Sequence, residues 1–254
     1  MSTDCKVTPI IKSKILLVEG KDEINLFSAL LVDLGLEESI QLIDTAGINN
    51  LTTEIASVQA RSGYRIVESI GIIRDADSDS DAAFQSVCSS LTNNNLPTPQ
   101  GQLISQIEDG KPKVVVLIIP YGKPTGMLEN VCLESVEDDP AMDCIDNFFE
   151  CLSDKNRELS KNDIPKARVR VFLASREWME IAYFESLQDC ANRNVAMAPI
   201  SPSTATPQVH MFLSSRYTPN LSLGQAAGKT NREDRYWNFE HKCFDSIKNF
   251  LIMI

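Results

Sequence analysis

Histidine is nearly missing from this sequence: only His210 and His241 occur in a chain of 254 residues. Zincins, HNH and HD hydrolases and most Ser/His or Cys/His triads need imidazole at set positions, and neither histidine stands in such a setting. His241, in "YWNFEHKCF", reads as a polar residue flanking a helix. The seven cysteines include no C-x-x-C pair and are odd in number, so neither a disulfide framework nor a zinc ribbon is indicated. Long apolar runs are missing too. Nothing approaches the roughly 20 apolar residues that span a bilayer, and "MSTDCKVTPIIKSKILLVEG" has no apolar h-region with a small-residue cleavage site. A soluble, cytoplasmic protein with no membrane partner is expected. Positive charge is in deficit, with 24 Lys and Arg against 35 Asp and Glu and a formal charge of −11. That weighs against a surface that grips nucleic acid everywhere, because Lys and Arg dominate phosphate binding. A local basic channel remains open to "KNDIPKARVRVFLASR", which holds Lys161, Lys166, Arg168, Arg170 and Arg176. A solvated basic helix face is the competing reading of that stretch.

Apolar content of 43% over 254 residues suffices for one large core, or for one domain with an appendage. "KILLVEG" is a short apolar run ending in Gly, and "KDEINLFSALLVDLG" follows with apolar residues at helical spacing and Gly35 as a C-cap. "SIQLIDTAG" and "NNLTTEIASVQARSG" repeat the strand–helix rhythm, as do "ESIGIIRDAD" and "SDAAFQSVCSSL". Such alternation predicts an α/β fold with a parallel sheet and right-handed crossovers. "ISQIEDGKPKVVVLIIP" reads as a hairpin turning at "EDGK", so a mostly parallel sheet with an antiparallel hairpin addition is expected, with helices on both faces. Residues 136–254 carry helical patterns in "PAMDCIDNFFECLSDKNREL", "KARVRVFLASREWMEIAYFESL" and the closing "YWNFEHKCFDSIKNFLIMI". They read as a helical extension on the same core as residues 1–135. The polar, Pro-rich "NRNVAMAPISPSTATPQ" between them reads as an exposed loop.

Into this frame the sequence sets acids at alternate positions, Asp75, Asp77, Asp79 and Asp81, where the third strand ends. Ligands of open α/β sheets bind beyond the carboxyl ends of the strands. Glu19 lies at that end of the first strand, so neighbouring first and third strands would bring Glu19, Asp75 and Asp77 to one edge. Residues two apart on a strand point the same way, which would let Asp75 and Asp77 share a target while Ala76 points elsewhere. Converging carboxylates without histidine form a hard, oxygen-only site suited to Mg²⁺ or Mn²⁺, and without a cation their repulsion is hard to justify.

"LLVEGKDE" followed by a helix, and later "IIRDADSD", resemble the Toprim domain of topoisomerases, DnaG-type primases, recombination mediators and OLD nucleases, marked by a Glu after the first strand and a D-x-D after the third. Glu19, Asp75 and Asp77 match those marks residue by residue. "GMLENVCLES", "LGQAAGK" and "YWNFEHKCFDSIKNFL" are further similar to a bacterial Toprim-related family of uncharacterised function. The resemblance implies a Toprim-like, Rossmann-type sheet and phosphodiester chemistry assisted by one or two divalent ions, with Glu19 as a metal ligand or general acid/base. Topoisomerase-like members carry a Glu further along the motif, where "SDSD" departs, and need a tyrosine in a separate domain. Metal-dependent hydrolysis, as in OLD-like nucleases, asks least of this chain.

Further candidates have two readings each. Glu23 is a metal ligand or a first-turn acid favoured by the helix dipole, and Asp22 is a ligand or the helix N-cap. Asp79 is a third acid of the motif or, preferably, the cap of the third helix. Glu129, after the permissive Gly126, is a second-metal ligand or a helix-entry acid. Lys166 would stabilise phosphorane charge, as lysines do in OLD-like sites, or is simply solvated. "DADSDSDAAFQS" is no calcium loop, having Ser80 and Ser86 where Gly and Glu are required, and "GQAAGKT" is one residue short of a P-loop. The expected function is a Mg²⁺- or Mn²⁺-dependent nuclease, acting on DNA in repair or phage defence. The alternative is a non-cutting module that binds metal, nucleotide or nucleic acid and regulates an ATPase or other protein partner.

Overall fold

The computed structural model describes residues 8–45, 47, 51–155, 157, 159–160, 162–175 and 236–254. Lys161, Arg176, His210, Cys5, Cys190, the Pro-rich segment and "LGQAAGK" lie outside the described residues.

Four strands, β1 (Lys14–Val18), β2 (Ile40–Asp44), β3 (Ser69–Asp75) and β4 (Lys113–Ile119), form one open sheet in the order β2-β1-β3-β4. Every pair is parallel. The central strands read as unbroken apolar runs because both their faces are covered. Leu16, Val18, Ile73, Val115, Leu117 and Ile119 belong to one core cluster, whereas Ile15, Leu17, Ile70, Ile72, Val114, Val116 and Ile118 belong to another. This is the period of two expected of strands.

The helices divide accordingly. Helix α1 (Lys21–Leu34) packs Leu26, Phe27 and Leu30 into the first cluster, while α2 (Leu51–Ala60) and α3 (Ser80–Asn93) cover the second face with Ile55, Val58, Phe84 and Val87. Right-handed crossovers demand this division, since the chain leaves β1 in one direction for β2 and returns past it to β3 and β4. The fold is a Rossmann-like, doubly covered α/β sheet. On the α1 face also lie α4 (Leu128–Glu134), α5 (Ala141–Asp154), a helix over 163–175 (α6) and α7 (Asp245–Met253). Phe172 of α6 stacks on Trp237 with ring centroids 5.3 Å apart, and both are buried in that cluster. Residues 136–254 are thus tied, where described, to the core of residues 1–135.

Several local expectations are corrected. The antiparallel hairpin shrinks to an isolated bridge, in which Gln106 and Val114 exchange N–H···O bonds of 2.9 Å, so the sheet is wholly parallel among the described residues. "EDGK" does turn the chain, with Lys111 N–H donating to Glu108 O at 3.1 Å and Gly110 at φ 74°. Helix α1 starts two residues earlier than a cap at Asp22 would have it. Its N-cap is Gly20, with no side-chain cap, and Asp22 falls inside the first turn. The closing helix begins at Asp245, after a 3₁₀ turn over Lys242–Phe244 whose cap is His241, the Nδ1 of which accepts from Cys243 N–H at 3.3 Å. Among the described residues no helix is long and apolar enough to cross a membrane.

Gly71 on β3 is the notch that admits α7. A Cβ there would stand 2.7 Å from Ile254 Cγ1 and 3.0 Å from Phe250 Cζ, while Lys113 Nζ donates to Met253 O at 2.6 Å to hold the end of that helix. Gly71→Val is expected to destabilise the chain by about 1–3 kcal/mol through overpacking, measured by urea unfolding. Adding Ile254→Ala should recover part of the loss, and no recovery would place the strain elsewhere.

Candidate metal centre

The reversal of strand order falls between β1 and β3, so the chain leaves both strands at a shared crevice. Glu19 follows β1 directly and Asp75 ends β3. Backbone amides aim them: Asp75 N–H donates to Glu19 Oε1 at 3.3 Å, and Leu128 N–H at the start of α4 donates to Asp75 Oδ1 at 2.9 Å. The Leu128 amide is in place because the loop after β4 is pinned. Asn130 Oδ1 accepts from Met127 N–H at 3.0 Å, and Gly126 at φ 131° leaves no room for a Cβ against Pro120 Cδ, which would lie at 2.8 Å.

Asp77 reaches the same neighbourhood by a route that strand alternation did not foresee. Strand β3 has ended, and Asp77 adopts φ 50° and is exposed. Aspartate tolerates this left-handed conformation better than most residues. Its backbone bridges to Gly126, donating at 2.7 Å and accepting at 2.9 Å. Asp75 and Asp77 therefore do not share a strand face, although the Asp77 charge still acts on both Glu19 and Arg74. Ala76 turns into the core as expected. Asp79 is the cap of α3, with Oδ1 accepting from the Asp81 and Ala82 amides at 3.0 and 2.9 Å.

Two more acids complete the set. Glu23 in the first turn of α1 and Glu129 in the first turn of α4 line a cleft of about 470 Å³ with Gly20, Lys21, Asp22, Lys166 and Arg170. Burial and then the charges of Glu19, Glu129 and Glu23 push the Asp75 carboxyl well above its usual range, against the Leu128 amide. Burial, with added repulsion from Glu19, Glu129 and Asp22, pushes Glu23 up to about 7. Burial likewise raises Glu19 and Glu129, with Lys166 lowering both. These carboxylates sense one another as a single group, and their all-oxygen chemistry suits a hard divalent cation. Among the described residues, however, no three His, Cys, Asp or Glu side chains already stand as a closed ligand set.

Arg74 stands beside these acids although no motif of the sequence marks it. Its Nε lies 3.8 Å from Glu19 Oε1, is buried without a hydrogen-bond partner, and its Nη1 donates to Ala83 O at 3.2 Å. Burial lowers its pKa while Glu19, Asp77 and Asp75 oppose that shift. The available signal was a lone charge within the apolar run "IGIIRD". The basic stretch also resolves: Arg168 pairs with Asp146 and lies 5.7 Å over the Phe149 ring, whereas Lys166 and Arg170 line the cleft.

The model of a family described as "Protein of unknown function (DUF3226)" matches residues 13–181, more than half of the chain. The chain belongs to that family. The matched span runs from β1 through α6, so in this DUF3226 member it contains Glu19, Glu23, Asp75, Asp77, Glu129 and Lys166 together. No curated protein and no solved structure matches.

The raised carboxyl of Glu23 gives a pH dependence of definite sign. Its folded pKa, about 7, exceeds the ordinary 4.5, so the folded chain binds that proton more tightly than the unfolded one. The resulting stabilisation is complete below pH 4.5 and is lost as pH rises through 7. In chelator, Glu23→Gln should therefore be more stable than the parent at pH 8, by up to about 3 kcal/mol, with a flatter profile between pH 5 and 8. Urea unfolding at both pH values checks this, and a less stable variant at pH 8 would contradict it.

Proposed function

We propose that this chain is a Toprim-type nuclease that hydrolyses phosphodiester bonds with Mg²⁺ or Mn²⁺. The carrying observation is the meeting of Glu19 and Asp75 at the carboxyl ends of adjacent parallel strands, with Glu23 and Glu129 close enough to raise the Asp75 carboxyl. Glu19, Asp75 and Asp77 are the central carboxylates, and Glu23 and Glu129 are the further ligands for a divalent ion. When bound, such an ion supplies charge neutralisation and activates water for in-line displacement. The chain's own residues do the rest. The Asp75 and Leu128 amides fix the orientation of Glu19 and Asp75, so the acids need little reorganisation. Arg74 stands 3.8 Å from Glu19, and Lys166, whose charge acts on both Glu19 and Glu129, offsets negative charge gathering on the phosphate. We assign it a cytoplasmic setting and DNA as substrate, in repair or phage defence.

A net charge of −11 favours a second reading, in which the same edge binds metal and nucleotide or nucleic acid without cutting and regulates an ATPase or other protein partner.

Nicking of supercoiled plasmid in Mn²⁺ at low salt separates the two. Wild type should cut, and Glu19→Gln, Asp75→Asn and Asp77→Asn should each lose at least about a hundredfold in rate. Mn²⁺ binding by the wild type with no cutting would favour the regulatory module, and equal cutting by all four proteins would remove the acids from the site.

A further inference from the structure

The cleft has a cationic wall as well as an acidic floor. Lys166, Val169, Arg170 and Leu173 line it from a single stripe of α6, spaced three and four residues apart as one helix face requires. Val169 and Leu173 are buried and fix the phase of the helix, while Lys166 and Arg170 are exposed at the cleft. Arg168, on another face, is already engaged by Asp146 and Phe149, whereas neither Lys166 nor Arg170 has an ion-pair or hydrogen-bond partner among the described residues. The two cleft cations differ in reach. The charge of Lys166 acts on Glu19 and Glu129, and that of Arg170 on Glu129. One helical turn, about 6 Å of rise, separates them along the wall. Lys166 therefore stands nearer to Glu19, whereas Arg170 shares only Glu129 with it, so a phosphate seated at Glu19 and Asp75 would meet Lys166 first.

We infer that Arg170 is a substrate-positioning residue: its guanidinium takes a second phosphate, next along the substrate from the one at the carboxylate edge. The cleft then selects ligands carrying at least two phosphates in series over phosphomonoesters or isolated diesters. A guanidinium suits this task because its fork binds phosphate oxygens in pairs and stays charged at any working pH. The inference rests on the proposed function for the location of the first phosphate. It is read by binding alone, so that absence of cleavage and absence of this subsite are separate results.

The test is fluorescence anisotropy of a short fluorescein-labelled oligothymidylate on the full chain in Ca²⁺ across a KCl series. Arg170→Ala should weaken binding about tenfold and lower the slope of log K against log salt by about 0.7. Arg170→Lys should restore the slope but only part of the affinity, and Arg168→Ala should match the parent. A merely structural role would leave the slope unmoved. Competition with inorganic tripolyphosphate identifies the source of the paired phosphates: displacement that is itself lost in Arg170→Ala assigns a small polyphosphate, and its failure to displace assigns a nucleic-acid strand. No oligonucleotide binding by the parent, or an unchanged slope in Arg170→Ala, overturns the inference.

Discussion

Because β1 and β3 run side by side in the same direction, the chain must leave both at one edge of the sheet, and the residues that follow them cannot avoid each other. Glu19 and Asp75 meet there with a backbone amide of one donating to the carboxylate of the other. Everything nearby answers that confrontation. Leu128 lends its amide to Asp75, the loop that presents it is held by Asn130 and Gly126, and α6 brings Lys166 over the opening. An acidic cluster costs stability when it stands alone, which accords with the divalent-ion role proposed above.

Arg74 shows how the fold tolerates this concentration of charge. It lies on β3 itself, one residue before Asp75, and stands beside Glu19 without forming a close hydrogen bond to it. At 3.8 Å the attraction survives but the geometry stays loose. Glu19 is thereby restrained without being fully neutralised, which leaves its oxygens competent to serve another cation.

The strand–helix alternation, the parallel sheet and the neighbouring of the first and third strands were legible because hydrophobic period reports which faces are covered. Glu19 and Asp75 were legible for the same reason, since each ends a buried run. The shared strand face expected of Asp75 and Asp77 does not form, because alternation holds only while the strand continues, and a left-handed residue past its end obeys the turn instead. Arg74 escaped notice because one charge in an apolar run has no period. Arg168 could not be separated from Lys166 and Arg170, since the phase of a basic helix becomes known only when Val169 and Leu173 find the core. The hairpin failed by a related cause. Its residues do pair, but beyond the one bridge the first arm keeps to β4 only through Leu103 N–H to Val116 O and Ile118 N–H to Gln102 Oε1, too few to make a strand, which leaves β4 as the sheet's last strand.

The notch at Gly71 joins parts of the molecule that are made at very different moments. β3 and its partners are complete once β4 has been synthesised, yet Phe250 and Ile254, which fill the notch, emerge more than a hundred residues later. Until then the place beside Gly71 lacks the two side chains that fill it, so cover of that part of the sheet depends on the last stretch of chain to be made, whereas α1, α4, α5 and α6 on the same face come earlier.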